Sequence, residues 1–398
     1  MASIEKARSK RGGYIVRYRG PDRKQRSQTF ARHVDAKAFA ESVETDVRRG
    51  TWTDPAGRKE LLSDWHARWW ATTVNLRPTT RARDDATWRN HVKPTFGGLP
   101  LGAIDHMAVA EWIAELSKSG LAPASVHKAH QVLAKIMRAA VDANRLPASP
   151  CDKVKLPRIE REEMRFLEPK QVAQLAESID ERYRALVFVG AYCGLRAGEM
   201  FGLRRSRVDL LRRRIDVAEI VVEVAPPVTG RTEGAKVEIF HGPPKTRAGR
   251  RSVPVPQLVA DELARHLAGV DDPDAYVFGA PHLGPVRASQ FRRRTWQPAC
   301  IAAGLGEIVE DETGKKRYEG LRLHDLRHSA VALWIAAGGS AKEIAARAGH
   351  TSVSVVLDRY GHLLPHAEER TTDALDAMAR AASTEVAEGV VVELKRHR

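Results

Sequence analysis

One tyrosine and the basic side chains that precede it are of the types needed to attack a phosphodiester without a metal. Tyr360 lies ten residues after His350, and His324-Asp-Leu-Arg327 lies upstream of both. A phenol has a pKa near 10, so it is a poor nucleophile unless nearby cations favour the phenolate. A tyrosine beside a turn is more often a core residue, and it is the neighbouring histidines and arginine that suggest chemistry here.

Two segments further upstream could stabilise charge and move a proton. In Gly194-Leu-Arg-Ala-Gly-Glu199, the glycine and the carboxylate three residues after Arg196 predict a helix start at which Glu199 holds the arginine. In Pro-Lys-Thr, Lys245 is placed on a predicted β-hairpin with its turn near residues 248–249, and it could protonate a leaving alkoxide. Two plainer interpretations stay open: an ordinary helical ion pair for Arg196, and a phosphate-contacting basic loop for Lys245.

A pair of histidines four residues apart raises the alternative of a zinc site. His324 and His328 have the spacing of a zinc-binding helix, but Asp325 stands where the catalytic glutamate is expected, and no third ligand is evident. No carboxylate cluster suited to two-metal chemistry is apparent either. We therefore predict no metal and expect His324 and Arg327 to point at the same phosphate from one helix face.

The order of these residues along the chain resembles the tyrosine recombinase (phage integrase) family. The strings that carry the resemblance are Gly-Leu-Arg-Ala-Gly-Glu at 194–199, Pro-Lys-Thr at 244–246, Leu-His-Asp-Leu-Arg-His at 323–328, Gly-His-Thr-Ser at 349–352 and Tyr-Gly-His at 360–362. The resemblance covers about 165–366; residues 60–150 look like the family's helical core-binding domain, and residues 1–54 are similar to its arm-site-binding module.

The resemblance implies an activity and a set of site residues. Tyr360 would be the nucleophile that forms a 3′-phosphotyrosyl link, and no cofactor would be required. The other catalytic residues would be Arg196, Lys245, His324, Arg327 and His350, with Glu199 in support. The function expected is site-specific recombination that integrates or excises a phage or mobile element.

The expected fold is α+β and mainly helical. Residues 13–30 alternate as a basic hairpin, and residues 36–49 have the apolar spacing of a helix. Four helices are predicted between residues 60 and 145. The expected parts are a basic arm-type module at 1–54, a helical core-binding domain at 58–150, a linker at 151–165, a mixed α/β catalytic domain of the tyrosine recombinase type at 166–383 and a tail at 384–398.

The charge of the chain predicts a polyanionic partner. The formal charge is +15 over 398 residues, and residues 1–50 hold 13 Lys/Arg against 6 Asp/Glu. Separated basic clusters suit a protein that contacts backbone phosphates from several domains. The side chains predicted to bind DNA are Arg17, Arg19, Lys24, Arg26, Arg247 and Arg250.

Cysteine usage and hydropathy indicate the cellular compartment of the protein. The three cysteines are far apart and form no CxxC pair, which predicts a reducing compartment. No apolar run reaches the ~18 residues of a membrane span. We expect a cytoplasmic protein.

The expected partners are DNA attachment sites and further copies of the chain. The protein is expected to be a monomer when free and a homotetramer on DNA, because strand exchange joins two duplexes and uses four active sites. An accessory directionality factor is left open. Two alternative functions remain: a type IB topoisomerase-like enzyme, and a non-catalytic DNA-binding regulator.

Overall fold

The computed structural model describes residues 2–7, 13–160, 164–224, 237–281, 284–363, 372–373 and 375–380. These residues form two compact units, one containing the described residues up to 160 and the other those from 164 onward. The predicted tail at 384–398 lies outside the described residues.

The first unit begins with a small antiparallel sheet that packs on a helix. The sheet has the order β1-β2-β3, with β1 Ser3–Lys6, β2 Tyr14–Arg19 and β3 Gln25–Phe30, and α1 follows at His33–Arg49. Side chains alternate between the two faces of a strand, so Val16 and Tyr18 are buried with α1 while Arg17 and Arg19 face away. The predicted basic hairpin and helix are confirmed.

A helical bundle completes the first unit. Its helices are α2 Leu62–Thr72, α3 Pro78–Thr87, α4 Lys93–Phe96, α5 His106–Lys118 and α6 Pro123–Asp142, with a π-helical turn at Trp88–Val92. The four predicted helices are all present, and they pack on a shared core that includes Phe96, Trp112 and Leu133. Asp105 caps α5 by accepting a hydrogen bond from the Ala108 N–H at 2.8 Å.

The sheet module and the bundle are joined within this unit. Asp54 donates its backbone N–H to the Asn144 carbonyl at 2.9 Å, and its carboxylate pairs with Arg26 at 3.2 Å. The division into an arm module and a core-binding domain at residues 54–58 stays a prediction.

The second unit combines helices with three small sheets. Its helices are α7 Pro169–Ser178, α8 Arg184–Phe188, α9 Ala197–Phe201, α10 Gln257–His266, α11 Ala288–Phe291, α12 Gln297–Ala302, α13 Asp325–Ala336, α14 Ala341–Ala348 and α15 Ser354–Tyr360. Its strands are β4 Val208–Asp209, β5 Arg214–Val217, β6 Ile220–Val224, β7 Glu238–Gly242, β8 Arg251–Pro254, β9 Gly306–Glu310 and β10 Lys316–Gly320. Antiparallel pairs form the sheets β4-β5-β8, β6-β7 and β9-β10. The α+β, mainly helical class is confirmed.

The predicted hairpin around Lys245 is wrong. β7 pairs with β6, whereas β8 pairs with β5 in a different sheet, so Lys245 lies on a connection between two sheets. The sequence does contain a turn, a short 3₁₀ helix at Arg247–Gly249 that Thr246 caps through its hydroxyl. Strand partners are chosen by side-chain burial over long sequence distances, which the local turn signal does not report.

Two glycines in the left-handed conformation end helical segments next to the residues of interest. Gly194, with φ +65°, ends the π-helical turn at Val189–Cys193, and Gly349, with φ +64°, ends α14. A residue with a Cβ is strained at such φ values, so glycine suits both positions. Arg196 lies two residues after Gly194, and His350 directly follows Gly349.

Among the residues that the structure describes, no helix is both long and apolar enough to cross a membrane. Cys151, Cys193 and Cys300 are all buried free thiols, and burial raises the pKa of each.

Candidate active site

Arg196 is held at the start of a helix by a carboxylate, as the sequence predicts. It occupies the N-cap of α9, and Glu199 accepts hydrogen bonds from its backbone N–H at 2.9 Å and from its Nη1 at 2.7 Å. Its Nη2 donates to the Gly349 carbonyl at 3.2 Å. The guanidinium is thus fixed to Glu199 in its own helix and to the Gly349 turn, while the side chain stays 38% exposed.

Glu199 is shared with a second arginine that the sequence analysis did not single out. Arg251, on β8, donates to both oxygens of Glu199 at 3.1 and 3.0 Å, and its Nε donates to the Arg347 carbonyl at 2.6 Å. Burial raises the pKa of Glu199, but the hydrogen bonds and charges of Arg251 and Arg196 outweigh it, so the pKa lies below its ordinary value. One buried carboxylate therefore stays ionised and orients two cations.

Arg327 lies beneath the two glycine turns. It is 4% exposed, and its Nη1 donates to the Gly194 carbonyl at 2.5 Å while its Nη2 donates to the Ala348 carbonyl. Burial, together with the charge of Arg196, lowers its pKa to about 9, so it remains protonated at neutral pH. A fixed positive charge thus joins the loop that carries Arg196 to the loop that carries His350.

The two predicted histidines are neutral in this setting. Burial, followed by the charges of nearby basic groups, lowers the pKa of His324 to about 4 and that of His350 to about 4. The His350 Nδ1 is buried and has no hydrogen-bond partner among the described residues. Neutral imidazoles can donate or accept a hydrogen bond without adding charge.

Arg196, Lys245 and His350 line one cavity. Its volume is about 380 Å³, and Thr246 and Val355 also contribute to its wall. Lys245 is exposed on the connection between β7 and β8. The structure therefore brings together three of the predicted residues that come from distant parts of the second unit.

Tyr360 is buried rather than presented to solvent. It ends α15, is 2% exposed, and packs among Val331, Ile335 and Val356. Burial raises the pKa of its hydroxyl, and the charges of Arg327 and Arg359 only partly oppose this. The expected shift of the phenol toward its anion is thus not present in the protein without DNA.

The Tyr360 hydroxyl contacts a histidine that the sequence analysis treated only as part of a zinc alternative. His328, in the first turn of α13, lies with its Nδ1 2.5 Å from the Tyr360 oxygen. Its ring also packs edge-on against His324, with 4.9 Å between ring centroids. Within the described residues, no group of three His, Cys, Asp or Glu side chains could hold a metal ion.

Sequence reasoning missed Arg251 and His328 as site residues. Arg251 belongs to the basic stretch from Lys245 onward, where nothing local separates a buried arginine from exposed ones. For His328, the only local signal was its position directly after Arg327, in a helix whose other face is apolar. Their partners, Glu199 and Tyr360, are 52 and 32 residues away in sequence.

The predicted DNA-binding side chains have different surroundings. Arg19 and Lys24 are exposed, as are Arg247 and Arg250 in the second unit. Arg17 is about half exposed and pairs with Glu5 at 3.5 Å. Arg26 lies on the opposite face of the sheet, over the Trp52 ring and paired with Asp22 at 2.8 Å and with Asp54.

Comparisons with known proteins agree with this architecture. A model of the phage integrase family matches residues 165–366, and a model of the phage integrase N-terminal SAM-like domain matches residues 61–117. A putative prophage phiRv2 integrase of Mycobacterium tuberculosis is 26% identical over 370 residues, which cover 88% of this chain and 89% of that protein.

Two solved structures share the fold. The Tn1549 transposon integrase, in complex with a circular intermediate DNA, aligns with a TM-score of 0.62 at 18% identity and covers 81% of this chain and 99% of its own. A lambda integrase tetramer bound to a Holliday junction aligns with a TM-score of 0.54 at 15% identity, over 88% of this chain and 96% of its own.

The chain belongs to the phage integrase family of tyrosine recombinases, because the family model spans half of it. The matched range includes Arg196, Lys245, His324, Arg327, His350 and Tyr360. Its function is site-specific DNA recombination.

Proposed function

We propose that this protein breaks and rejoins DNA through a covalent bond between Tyr360 and a 3′-phosphate. The Tyr360 oxygen attacks the scissile phosphorus, the bond to the 5′-oxygen breaks, and Lys245 gives a proton to that oxygen. A 5′-hydroxyl from a partner strand then attacks the phosphotyrosine and reverses the step. The phosphotyrosyl ester keeps the energy of the original phosphodiester bond, so the cycle requires no ATP.

The observation that carries this proposal is the cavity shared by Arg196, Lys245 and His350. A phosphate in it would meet a guanidinium oriented by Glu199, an ammonium on an exposed loop and a neutral imidazole. Preorganised donors of this kind stabilise developing charge without reorganising during the reaction. The free phosphate oxygens of a phosphodiester are the charge they would neutralise.

Arg327 and His324 are proposed to add positive potential and a hydrogen bond at the phosphate. Arg327 places a protonated guanidinium where it holds both glycine turns, and it adds to the positive potential at the phosphate. His324 is neutral and lies at the start of the same helix. We assign it a hydrogen bond to a phosphate oxygen.

The position of Tyr360 adds a conformational step. A hydroxyl on a residue 2% exposed cannot reach a phosphate of bound DNA. We propose that DNA binding shifts α15 so that the hydroxyl reaches the cavity while it keeps its hydrogen bond to His328. α15 is short, at seven residues, so it can move without unfolding a long element.

The N-terminal sheet offers a second DNA contact. Arg17 and Arg19 lie on the face turned away from α1, opposite Ser27 and Gln25 of β3. A two-stranded β-ribbon, such as β2 and β3, fits the major groove of DNA. We propose that this face binds DNA and that Arg26 instead stabilises the sheet, so Arg17→Ala should lower the salt dependence of binding and Arg26→Ala should lower stability.

The number of subunits on DNA follows from the chemistry. Exchange between two duplexes uses four nucleophiles, so we propose a homotetramer on DNA, in line with the lambda integrase tetramer. A topoisomerase-like enzyme would cleave and reseal a single duplex without partner exchange. A regulator would bind DNA and form no covalent product.

A nicked suicide substrate tests the proposal. Cleavage near the nick releases a short strand, which diffuses away and traps the covalent complex. The wild-type protein should accumulate a complex that survives denaturing electrophoresis, whereas Tyr360→Phe should bind the same DNA and trap none. No trapped complex with the wild-type protein on its own attachment site would favour the regulator.

A further inference from the structure

The hydroxyl of Tyr360 has one hydrogen-bond partner among the described residues, and it is not one of the cations assigned above. His328 Nδ1 lies 2.5 Å from the Tyr360 oxygen, and both side chains are buried. The distance is at the short end for a hydrogen bond that involves a hydroxyl. This places an imidazole nitrogen within direct proton-transfer reach of the nucleophile.

A nucleophilic tyrosine needs such a partner in this setting. Burial raises the pKa of the Tyr360 hydroxyl, so at neutral pH the phenol keeps its proton until the attack begins. Arg327 and Arg359 favour the anion by their charge, but a guanidinium has no acceptor for the proton. Lys245 is assigned to the leaving oxygen and is protonated when it acts.

His328 is in the right state to accept the proton. Burial lowers its pKa below the ordinary 6.5; Asp325 opposes this, and the charges of Arg359, Arg322 and Arg327 reinforce it. The ring of His324 lies against it from the same helix. A neutral imidazole with its hydrogen on Nε2 presents the Nδ1 lone pair to the tyrosine O–H.

We propose that His328 is the base that takes the phenolic proton of Tyr360 during cleavage, an assignment that rests on the proposed role of Tyr360 as nucleophile. As the bond from the tyrosine oxygen to phosphorus forms, the proton moves to His328 Nδ1. The bond from phosphorus to the 5′-oxygen breaks, and Lys245 supplies the proton that this oxygen gains. In the rejoining step, His328 returns its proton to the tyrosine oxygen, and Lys245 accepts the proton of the attacking 5′-hydroxyl.

A different role for the same contact would be a lock that holds Tyr360 in the unbound protein. The two roles give opposite kinetics. Removing a base slows cleavage, by roughly 100-fold to 10,000-fold for general acid–base groups. Removing a lock leaves cleavage unchanged or makes it faster.

The test is single-turnover cleavage of the nicked substrate by the full-length protein. His328→Asn keeps a hydrogen-bonding group near the Nδ1 position but cannot take up a proton, and His328→Ala leaves space for added imidazole. We expect both variants to bind DNA normally and to cleave at least about 100-fold more slowly, with imidazole restoring part of the rate only to His328→Ala. His362→Asn, an exposed histidine two residues after the nucleophile, should cleave like the wild type. A His328→Asn rate equal to or above the wild-type rate would overturn the proposal.

The pH dependence of the wild-type protein tests the same claim without a variant. His328 acts only when neutral, so the cleavage rate should fall as the pH drops through its pKa, below about 6.5. His324 and His350, with pKa values of about 4, titrate at lower pH. A cleavage rate that does not fall at any pH below about 6.5 would contradict a base at His328.

A substrate with a sulfur leaving group distinguishes the role of the proposed base, His328, from that of the proposed acid, Lys245. A substrate with sulfur in place of the 5′-oxygen leaves without a proton, so it should rescue Lys245→Ala and leave His328→Asn slow. Rescue of both would contradict the assignment. Failure of the wild-type protein to form any covalent complex would overturn this proposal together with the proposed function, whereas a wild-type complex with a fast His328→Asn variant would overturn this proposal alone.

Discussion

The cationic side and the nucleophile side of the site are built in different ways. Arg196 and Arg251 share the buried Glu199, and Arg327 joins the two glycine turns, so the cations are fixed before any DNA is present. Tyr360 ends a seven-residue helix, is buried, and makes a single hydrogen bond to His328 among the described residues. The difference supports the proposal that the positive charge for the transition state is in place before DNA binds, while Tyr360, the proposed nucleophile, has to move to reach the phosphate.

Removing the shared carboxylate should have the largest effect on stability. In Glu199→Gln, the side chain of Arg251, 7% exposed, would lose its charged partner. Breaking a buried ion pair on one side costs about 3–5 kcal/mol. Calorimetric unfolding at neutral pH should show this loss, and Glu177→Gln, an exposed carboxylate, should change stability by less than about 0.5 kcal/mol. Equal stability of the two variants would mean that the cationic side is not preorganised by Glu199.

The same variant predicts a pH dependence. The folded-state pKa of Glu199 lies below its ordinary value of 4.5, so its stabilisation is fully present above that value and is lost as the pH falls through the folded-state pKa. The wild-type protein should therefore lose stability relative to Glu199→Gln as the solution is acidified. A constant difference between the two proteins at every pH would contradict this.

Replacing Arg196 should affect the reaction more than the fold. Lysine cannot reproduce the forked guanidinium, so Arg196→Lys should cleave the nicked substrate about 100- to 1,000-fold more slowly, the size found for loss of one preorganised donor. Glu199 keeps Arg251, so stability should change little. Arg265→Lys, an exposed arginine with its own partner Glu262, is the matched control. A loss of stability as large as that of Glu199→Gln would show that Arg196 serves the fold.

The smallest effect is expected on the nucleophile side. Tyr360→Phe keeps the ring and loses one hydrogen bond, so unfolding should require about 0.5–1.5 kcal/mol less. Tyr183→Phe removes a comparable bond, donated by the hydroxyl to the Gly279 carbonyl at 3.1 Å, and should cost a similar amount. Only the first variant should lose cleavage. A loss above about 3 kcal/mol in Tyr360→Phe would show that this side is as firmly built as the cationic side.

Local signals in the sequence predicted the parts of the site that are held locally. The glycine before Arg196 and the carboxylate three residues after it predicted the helix start that the structure shows. The prediction was possible because Arg196 at the N-cap and the Glu199 carboxylate that holds it lie within one helical turn. The alternation of residues 13–30 likewise predicted the N-terminal strands.

Contacts between residues that are far apart in the sequence could not be predicted from local patterns. The position of Lys245 between two sheets depends on how β7 and β8 choose partners, and the local turn suggested a hairpin. The burial of Tyr360 depends on how α13, α14 and α15 pack. Nothing near either residue in the sequence reports such packing.

The most direct test of the account is to identify the residue that carries the DNA. The covalent complex trapped on the nicked substrate can be digested with protease, and the peptide that retains a nucleotide can be sequenced by mass spectrometry. The account predicts a 3′-phosphate on the hydroxyl of Tyr360. A nucleotide attached to any other residue, or a covalent complex that Tyr360→Phe still forms, would contradict it.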